Sequence, residues 1–224
     1  MKRSLTCLLA VLLLAPAAFC QKEGSSIEPD IFYLMPEFGQ GNVYFKGKPA
    51  YPGLLNICAI DGSVRYKDAA GQERIIQDDG SLSAVNIGDA SFIMHDGELV
   101  RLYSLSLDLG IAHLRKVDLM EDVKVGAFGM ETRTAAINNY DSFANGGLFY
   151  NLDQVRGHRY RMIETVYLYR GGQFQLFNKR NCQKCFPDSK DAIDAWFKAH
   201  KDPGATDIRD IVDACRAWSG VATQ

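Results

Sequence analysis

The sequence has no apolar run long enough to cross a bilayer core, which takes ~20 residues. Its first such run, 8–14, stops at Ala15-Pro16. An excess of either charge is also missing: 25 basic against 27 acidic residues, interspersed, leave a formal net charge of −2 and no positive stripe for nucleic acid or anionic lipid. Histidine is scarce. His95, His113, His158 and His200 show no His-x-His or His-x-x-x-His spacing, so each reads as a surface or turn residue rather than a ligand. There is no Gly-x-Ser-x-Gly nucleophile elbow, and Gly126-Ala127-Phe128-Gly129 lacks the Lys-Ser/Thr of a phosphate loop. The acidic turns Asp61-Gly62 and Asp78-Asp79-Gly80 lack the ligand spacing of a calcium loop. Hydrolase and kinase readings therefore have no support, and no metal or cofactor is expected.

At the N-terminus, Met1-Lys2-Arg3, the apolar run and Ala15-Pro16-Ala17-Ala18 have the layout of a secretory signal peptide over 1–20. Cys20 is the candidate acylation site of a lipid-anchored product, although Phe19 stands where small residues are usual before such a cysteine. Residues 21–29 read as a polar tether, and 30–224 as a single β-rich domain. A content of 47% hydrophobic residues suits a packed core and excludes disorder for most of the chain. Beyond the leader lie Cys58, Cys182, Cys185 and Cys215, which in an oxidising compartment leave three disulfide pairings open.

From Asn42 to Leu109, short β-rich runs alternate with turn signals such as Gly47-Lys48-Pro49, Asp61-Gly62, Gly71, Gly88-Asp89 and Asp96-Gly97. Strands at a spacing of roughly 8–12 residues are the mark of an antiparallel meander, packed as a sandwich, roll or barrel. Glu98 to Leu109 reads as one long strand with Leu99, Arg101, Tyr103, Leu105, Leu107 and Leu109 on one face. Leu114 to Val125 suits either a strand pair or a short helix, and 126–150 reads as a long surface loop of unassigned role. The aromatics Tyr33, Tyr44, Phe45, Tyr66, Tyr103, Phe143, Phe149, Tyr150, Tyr160, Tyr167 and Tyr169 lie on or beside strands, where burial competes with stacking on a sugar or partner.

The clearest hairpin is Arg161 to Phe177, a β-branched and aromatic run turning at Gly171-Gly172. Cys182-Gln183-Lys184-Cys185 follows it, placed between a strand and a helix begun by Pro187-Asp188. The period then changes from 2 to 3.6. One helix is expected near 189–200, with Ala192, Ile193, Trp196 and Phe197 on its apolar stripe. A second, near 206–218 and capped by Thr206, carries Ile208, Ile211, Val212, Cys215 and Trp218 on one face. The fold class is thus α+β, an antiparallel meander with a C-terminal two-helix hairpin.

Asn42-Val43-Tyr44-Phe45-Lys46-Gly47-Lys48, Leu54-Leu55-Asn56, Val64-Arg65-Tyr66-Lys67-Asp68 and Leu168-Tyr169-Arg170-Gly171-Gly172-Gln173-Phe174 resemble segments of a group of exported bacterial proteins of unknown function, as do Cys185-Phe186-Pro187 and Ile193-Asp194-Ala195-Trp196-Phe197. The resemblance implies export and a β-rich body, and no site residues. The leading functional expectation is a non-catalytic binding or structural module of the envelope or cell surface, with a partner protein or a glycan as ligand. The alternative is a thiol-disulfide redox protein using Cys182 and Cys185, with thiolates favoured by a helix N-terminus and by Lys179, Arg180 and Lys184. Against it, Cys215 is placed to bridge Cys182 or Cys185, closing a loop of about 30 residues for roughly 3–4 kcal/mol.

Overall fold

The computed structural model describes residues 20–24, 26–120, 124, 125, 131, 132, 143, 144, 147, 148, 150–201 and 206–220. Residues 1–19, within the expected leader, most of the expected 126–150 loop and Asp202-Pro203-Gly204 lie outside them. In chain order the strands are β1 (Cys20–Gly24), β2 (Gly39–Phe45), β3 (Tyr51–Ile57), β4 (Val64–Lys67), β5 (Glu73–Ile75), β6 (Leu82–Ile87), β7 (Ala90–His95), β8 (Glu98–Ser104) and β9 (Leu109–Leu119). Two minimal pairs follow, β10 (Lys124–Val125) with β11 (Glu131–Thr132) and β12 (Phe143–Ala144) with β13 (Gly147–Leu148), then β14 (Tyr160–Arg170) and β15 (Gln173–Leu176). The helices are α1 (Pro29–Phe32), α2 (Leu152–Val155), α3 (Lys179–Cys185), α4 (Lys190–Ala199) and α5 (Ile208–Ser219).

The expected α+β class holds. Eleven strands form one antiparallel sheet in the order β1-β14-β9-β8-β7-β6-β2-β3-β4-β5, with β15 also on β14. It is built from two meanders, β2 to β5 and β6 to β9, joined where β6 returns to pair with β2. The sheet does not close into a barrel, although the Val117 N–H donates to the Ala59 carbonyl at 2.7 Å. The Gly171-Gly172 hairpin is as expected: both residues take positive φ, 55° and 84°, and Arg170 pairs with Gln173. No helix among the described residues is long and apolar enough to cross a membrane.

Four local expectations give way. The single strand over Glu98–Leu109 is a hairpin, with β8 ending at Ser104 and β9 starting at Leu109. The Leu105 and Ser106 N–H groups both donate to the Leu109 carbonyl, at 2.8 and 3.0 Å, and the Ser106 hydroxyl meets Asp108 at 3.1 Å. Gly110 permits the reversal, since a Cβ there would stand 2.9 Å from the Tyr103 carbonyl oxygen. Leu107 is left fully exposed at the tip while Leu105 is buried, which period-2 counting cannot foresee. Residues 20–24, read as the leader's end and a tether, are paired along β14 from Cys20↔Glu164 to Gly24↔Tyr160. The Cys-x-x-Cys lies within α3 rather than between strand and helix, because the Asn178 side chain accepts the Asn181 N–H at 2.9 Å and starts a helical turn early. The terminal helices stand where expected, though Asp207 rather than Thr206 caps α5 by accepting the Arg209 N–H at 2.8 Å.

Cross-strand register places the apolar core on one face of the sheet. Val43 faces Val85, Val85 faces Phe92, Phe92 faces Arg101, Arg101 faces His113, and His113 faces Val166. Side chains at alternate positions of these strands share that side. Three buried clusters lie along it. Val43, Leu55, Ile57, Val64, Val85, Ile87, Phe92 and Leu99 fill the first. Val117 and Met162 are covered by Phe32, Tyr33 and Cys58–Ile60 in the second. Ile111 and Leu168 are covered by α3, α4 and α5 in the third, through Phe186, Ile193, Ile211, Val212, Cys215 and Trp218.

Candidate functional site

The cysteines predicted from sequence do converge. Cys182 and Cys215 are fully buried in the helical cluster and Cys185 packs against it, all three as free thiols; Cys58 is a free thiol in the cluster under α1. Their surroundings disfavour the thiolate. Burial pushes Cys182 and Cys58 up to about 12 and Cys215 higher still. Burial raises Cys185 as well, against the pull of the Arg170 guanidinium, whose Nη1 is 3.3 Å from the Cys185 carbonyl oxygen. Cys185 is also the last residue of α3, where the helix dipole opposes negative charge. Lys179 is turned to Asp194 at 3.0 Å.

A second constellation was not visible in the sequence. Across β8, β9 and β14 the core face carries Tyr103, Ile111 and Leu168 in one row, and Arg101, His113 and Val166 in the next. Arg115 opposite Glu164 and Val117 opposite Met162 complete the series. The outer rows are covered: Ile111 and Leu168 by the terminal helices, Val117 and Met162 by α1 and its neighbours. Between the two caps, the rows of His113 and Arg115 carry half-buried polar side chains.

One wall engages Arg115, which donates to the Asp30 carbonyl at 2.8 Å and the Tyr33 carbonyl at 3.4 Å, at the end of α1. On the other side Arg101 lies 5.0 Å from the centroid of the Tyr103 ring. Burial raises the Tyr103 hydroxyl, Asp207 and Glu164 add to the rise, and Arg101 and Arg209 oppose it, so all four charges act at this hydroxyl. Arg101, Tyr103, His113 and Glu164 make no side-chain hydrogen bond or ion pair among the described residues. Each of the four is only half-buried, so solvent can reach its polar atoms and they are open to an outside partner as well as to water.

His113 is held neutral. Burial first, then the Arg115 and Arg101 guanidinium groups, push its imidazole down to about 4. Because the folded value is depressed below that of the unfolded chain, this contribution to stability is fully present above about pH 6.5 and is lost as the pH falls towards 4. Urea unfolding of the wild type between those limits is expected to lose about 2 kcal/mol more than His113→Gln does, after allowance for partial solvent access. Parallel curves for the two proteins would rule out a neutral, protected His113.

A third feature is a groove of about 670 Å³ lined by Phe45, Tyr51, Leu55, Tyr66, Ile76 and Lys48 among others. Register puts Tyr51 beside Val43 and Leu55 beside Tyr66, so it is the first core cluster running out to solvent where β3 extends beyond β4. Tyr51, absent from the aromatics singled out in the sequence, is 67% exposed, whereas those whose side chains are described are at least half-buried. The Lys48 amine meets Asp79 at 2.6 Å and lies 5.3 Å from the Phe45 ring centroid.

Of the other histidines, His95 stacks on Phe174 at 3.9 Å and His200 contacts the Trp196 carbonyl at 2.9 Å. Among the described residues no group of three or more His, Cys, Asp or Glu side chains is placed to hold a metal ion. No family model, curated protein or solved structure matches the chain.

Proposed function

We propose that the chain is an exported, non-catalytic binding module whose ligand is met by the polar side chains around His113. The observation that carries this reading is the set of four unpartnered polar side chains, Arg101, Tyr103, His113 and Glu164, gathered between two apolar caps. Binding sites commonly combine apolar walls with a few convergent polar groups that fix a ligand's orientation. A non-catalytic role is supported by the imidazole, a weak base at about 4, and by thiols kept protonated by burial, which also weighs against the redox alternative. Export is supported by the basic start, short apolar run and small residues before Cys20. Whether Cys20 is acylated follows from the mass of the mature N-terminal peptide.

Groups kept for a ligand stabilise the free fold little. Arg101→Leu and His113→Leu are therefore expected to unfold within about 1 kcal/mol of the wild type, or to be more stable, in thermal and urea denaturation. In native mass spectrometry, protein recovered from exporting cells should carry a small non-covalent adduct that Arg101→Leu lacks. Losses above about 2 kcal/mol in both variants would give these side chains a structural role and sink the reading.

A further inference from the structure

The groove of about 670 Å³ lies on the β2–β5 meander, on different strands from Arg101, His113 and Glu164. Its volume falls in the range of small-ligand sites, about 300–1,000 Å³. It exists because β3 outruns its neighbour: β4 ends at Lys67 opposite Leu54, so Tyr51, Pro52 and Gly53 pair with β2 alone. A further strand is ill suited to that open edge. The Ile57 carbonyl accepts the Leu34 N–H on the β2 side, and the Cys58 N–H donates to the Ser63 carbonyl on the β4 side, both at 2.9 Å. Alternation along β3 therefore turns Pro52 towards the open edge, where its ring nitrogen has no proton to donate. Neither an extended peptide nor the edge of a second copy finds a full ladder there.

The lining narrows the ligand by charge. Among the described residues its only charged member is Lys48, and that ammonium is already met by Asp79 at 2.6 Å. A charged ligand would thus be set against apolar walls without a free counter-charge, at a cost in desolvation. A wholly apolar ligand is also a poor match. Tyr51 is 67% exposed and Pro52 is exposed beside it, so the groove opens to solvent on this side and would leave such a ligand partly in water. What fits is a neutral molecule with an apolar face for the rings and hydroxyls for the rim. A pyranose has that shape: its faintly positive C–H groups lie against the negative face of an aromatic ring, and its hydroxyls point outward.

We infer that the groove binds a neutral saccharide, with one sugar ring stacked on Tyr51. Of the three aromatic rings in the lining, Phe45 already carries the Lys48 ammonium 5.3 Å from its centroid, and Tyr66 is half-buried, which leaves Tyr51 as the open platform. The Tyr51 and Tyr66 phenols and the Gln77 amide lie in the same lining to exchange hydrogen bonds with the sugar hydroxyls. This site is separate from the one proposed around His113 and does not depend on it.

The test uses the full chain and four probes: maltotetraose and chitotetraose, both neutral, tetragalacturonate, which is anionic, and octanol, which is mostly apolar. Binding is read by titration of the Tyr51, Tyr66 and His113 ring signals in NMR. At least one neutral saccharide is expected to shift the Tyr51 and Tyr66 signals and to bind about ten-fold or more tightly than tetragalacturonate. Tyr51→Ala, a change at an exposed side chain, should weaken that saccharide about ten-fold as read at Tyr66, and Tyr51→Phe, which keeps the ring, less than about three-fold. Should Tyr51→Ala be poorly folded, the ranking of the four probes on the wild type alone decides the matter. Equal binding of tetragalacturonate would overturn the neutral class. Shifts with octanol and with neither saccharide would make the groove a site for apolar ligands and overturn the saccharide. Saccharide shifts confined to His113 would move the ligand to the residues of the proposed function and overturn the groove. No shift with any probe would overturn it too, and the stability of Arg101→Leu and His113→Leu then judges the residues around His113 separately.

Discussion

Replacing Arg65 with methionine is expected to destabilise the chain by about 3–5 kcal/mol, the usual cost of removing one partner from a buried ionic network. Its side chain is only 4% exposed and is saturated with acceptors: Glu73 at 2.9 Å, Asp61 at 3.0 Å, the Tyr150 carbonyl at 2.7 Å and the Ser63 hydroxyl at 2.8 Å. The guanidinium also lies 5.5 Å from the centroid of the Phe32 ring. Methionine keeps much of the length and none of the charge, leaving the carboxylates of Asp61 and Glu73 without their cation. The Tyr33 hydroxyl, which donates to Glu73 at 2.6 Å, is then the chief remaining partner of that carboxylate.

The same network joins β4, β5, the turn at Asp61 and the chain at Tyr150 to the end of α1, where the Asp30 and Tyr33 carbonyls hold Arg115. Arg65→Met should therefore weaken the fold and, on the proposed function, ligand binding beside Arg115 as well. Urea denaturation measures the first effect, and adding Asp61→Asn and Glu73→Gln to Arg65→Met should recover part of it, because the uncompensated charges are then gone. A loss below about 1 kcal/mol for Arg65→Met alone would mean that water replaces the guanidinium and that the network is not structural.

Trp218→Ala is the second large effect, expected at about 3–5 kcal/mol from lost burial and the cavity left behind. Its ring lies 6.5 Å from Phe177 at an interplanar angle of 7°, 5.9 Å from Phe186 and 5.8 Å from Trp196, and its carbonyl accepts the Ser189 hydroxyl at 3.0 Å. This one side chain thus ties α5 to α4 and to the residues that directly follow β15 and α3. Loosening it lowers the free energy of opening the helical cap, so alkylation of Cys182 and Cys215 under native conditions should accelerate on the order of a hundred-fold. Thiol labelling with mass mapping checks this and also tests the bridge expected from sequence. If Cys215 is bonded to Cys182 or Cys185 in the purified protein, the bonded pair stays unreactive in both proteins until reductant is added. Unchanged alkylation of free thiols would show that the cap opens by a route that does not involve Trp218.

Much of the fold was legible where the signal is local. Gly171-Gly172 and Asp96-Gly97 supply the positive φ angles of tight hairpins, 55° and 84° at the first and 49° and 84° at the second, and strands flank both. The helical stripe of Ile211, Val212, Cys215 and Trp218 is buried as its spacing implies. The gathering of Cys182, Cys185 and Cys215 followed from that stripe, although the structure holds them as free thiols. The β8/β9 reversal was hidden because Leu105, Leu107 and Leu109 continue the alternation through a turn, and alternation carries no information about chain direction.

The polar cluster was illegible for a different reason. Arg101, His113 and Glu164 lie on three strands, and within its own strand each is an isolated polar residue among apolar ones, with nothing local to pair it with the others. Only the pairing of β9 with both β8 and β14 sets them side by side, and only the separate docking of α1 and of the terminal helices leaves them half-buried between two apolar clusters. The sequence by itself determined the β-rich class, most turns, the terminal helices and their buried faces, because these follow from backbone preferences and side-chain periodicity over a few residues. Strand order, the insertion of β2 between β6 and β3, the saturation of Arg65 and the convergence of charges around His113 were decided by the tertiary structure alone, because each depends on hydrogen bonds and burial between segments far apart in the chain.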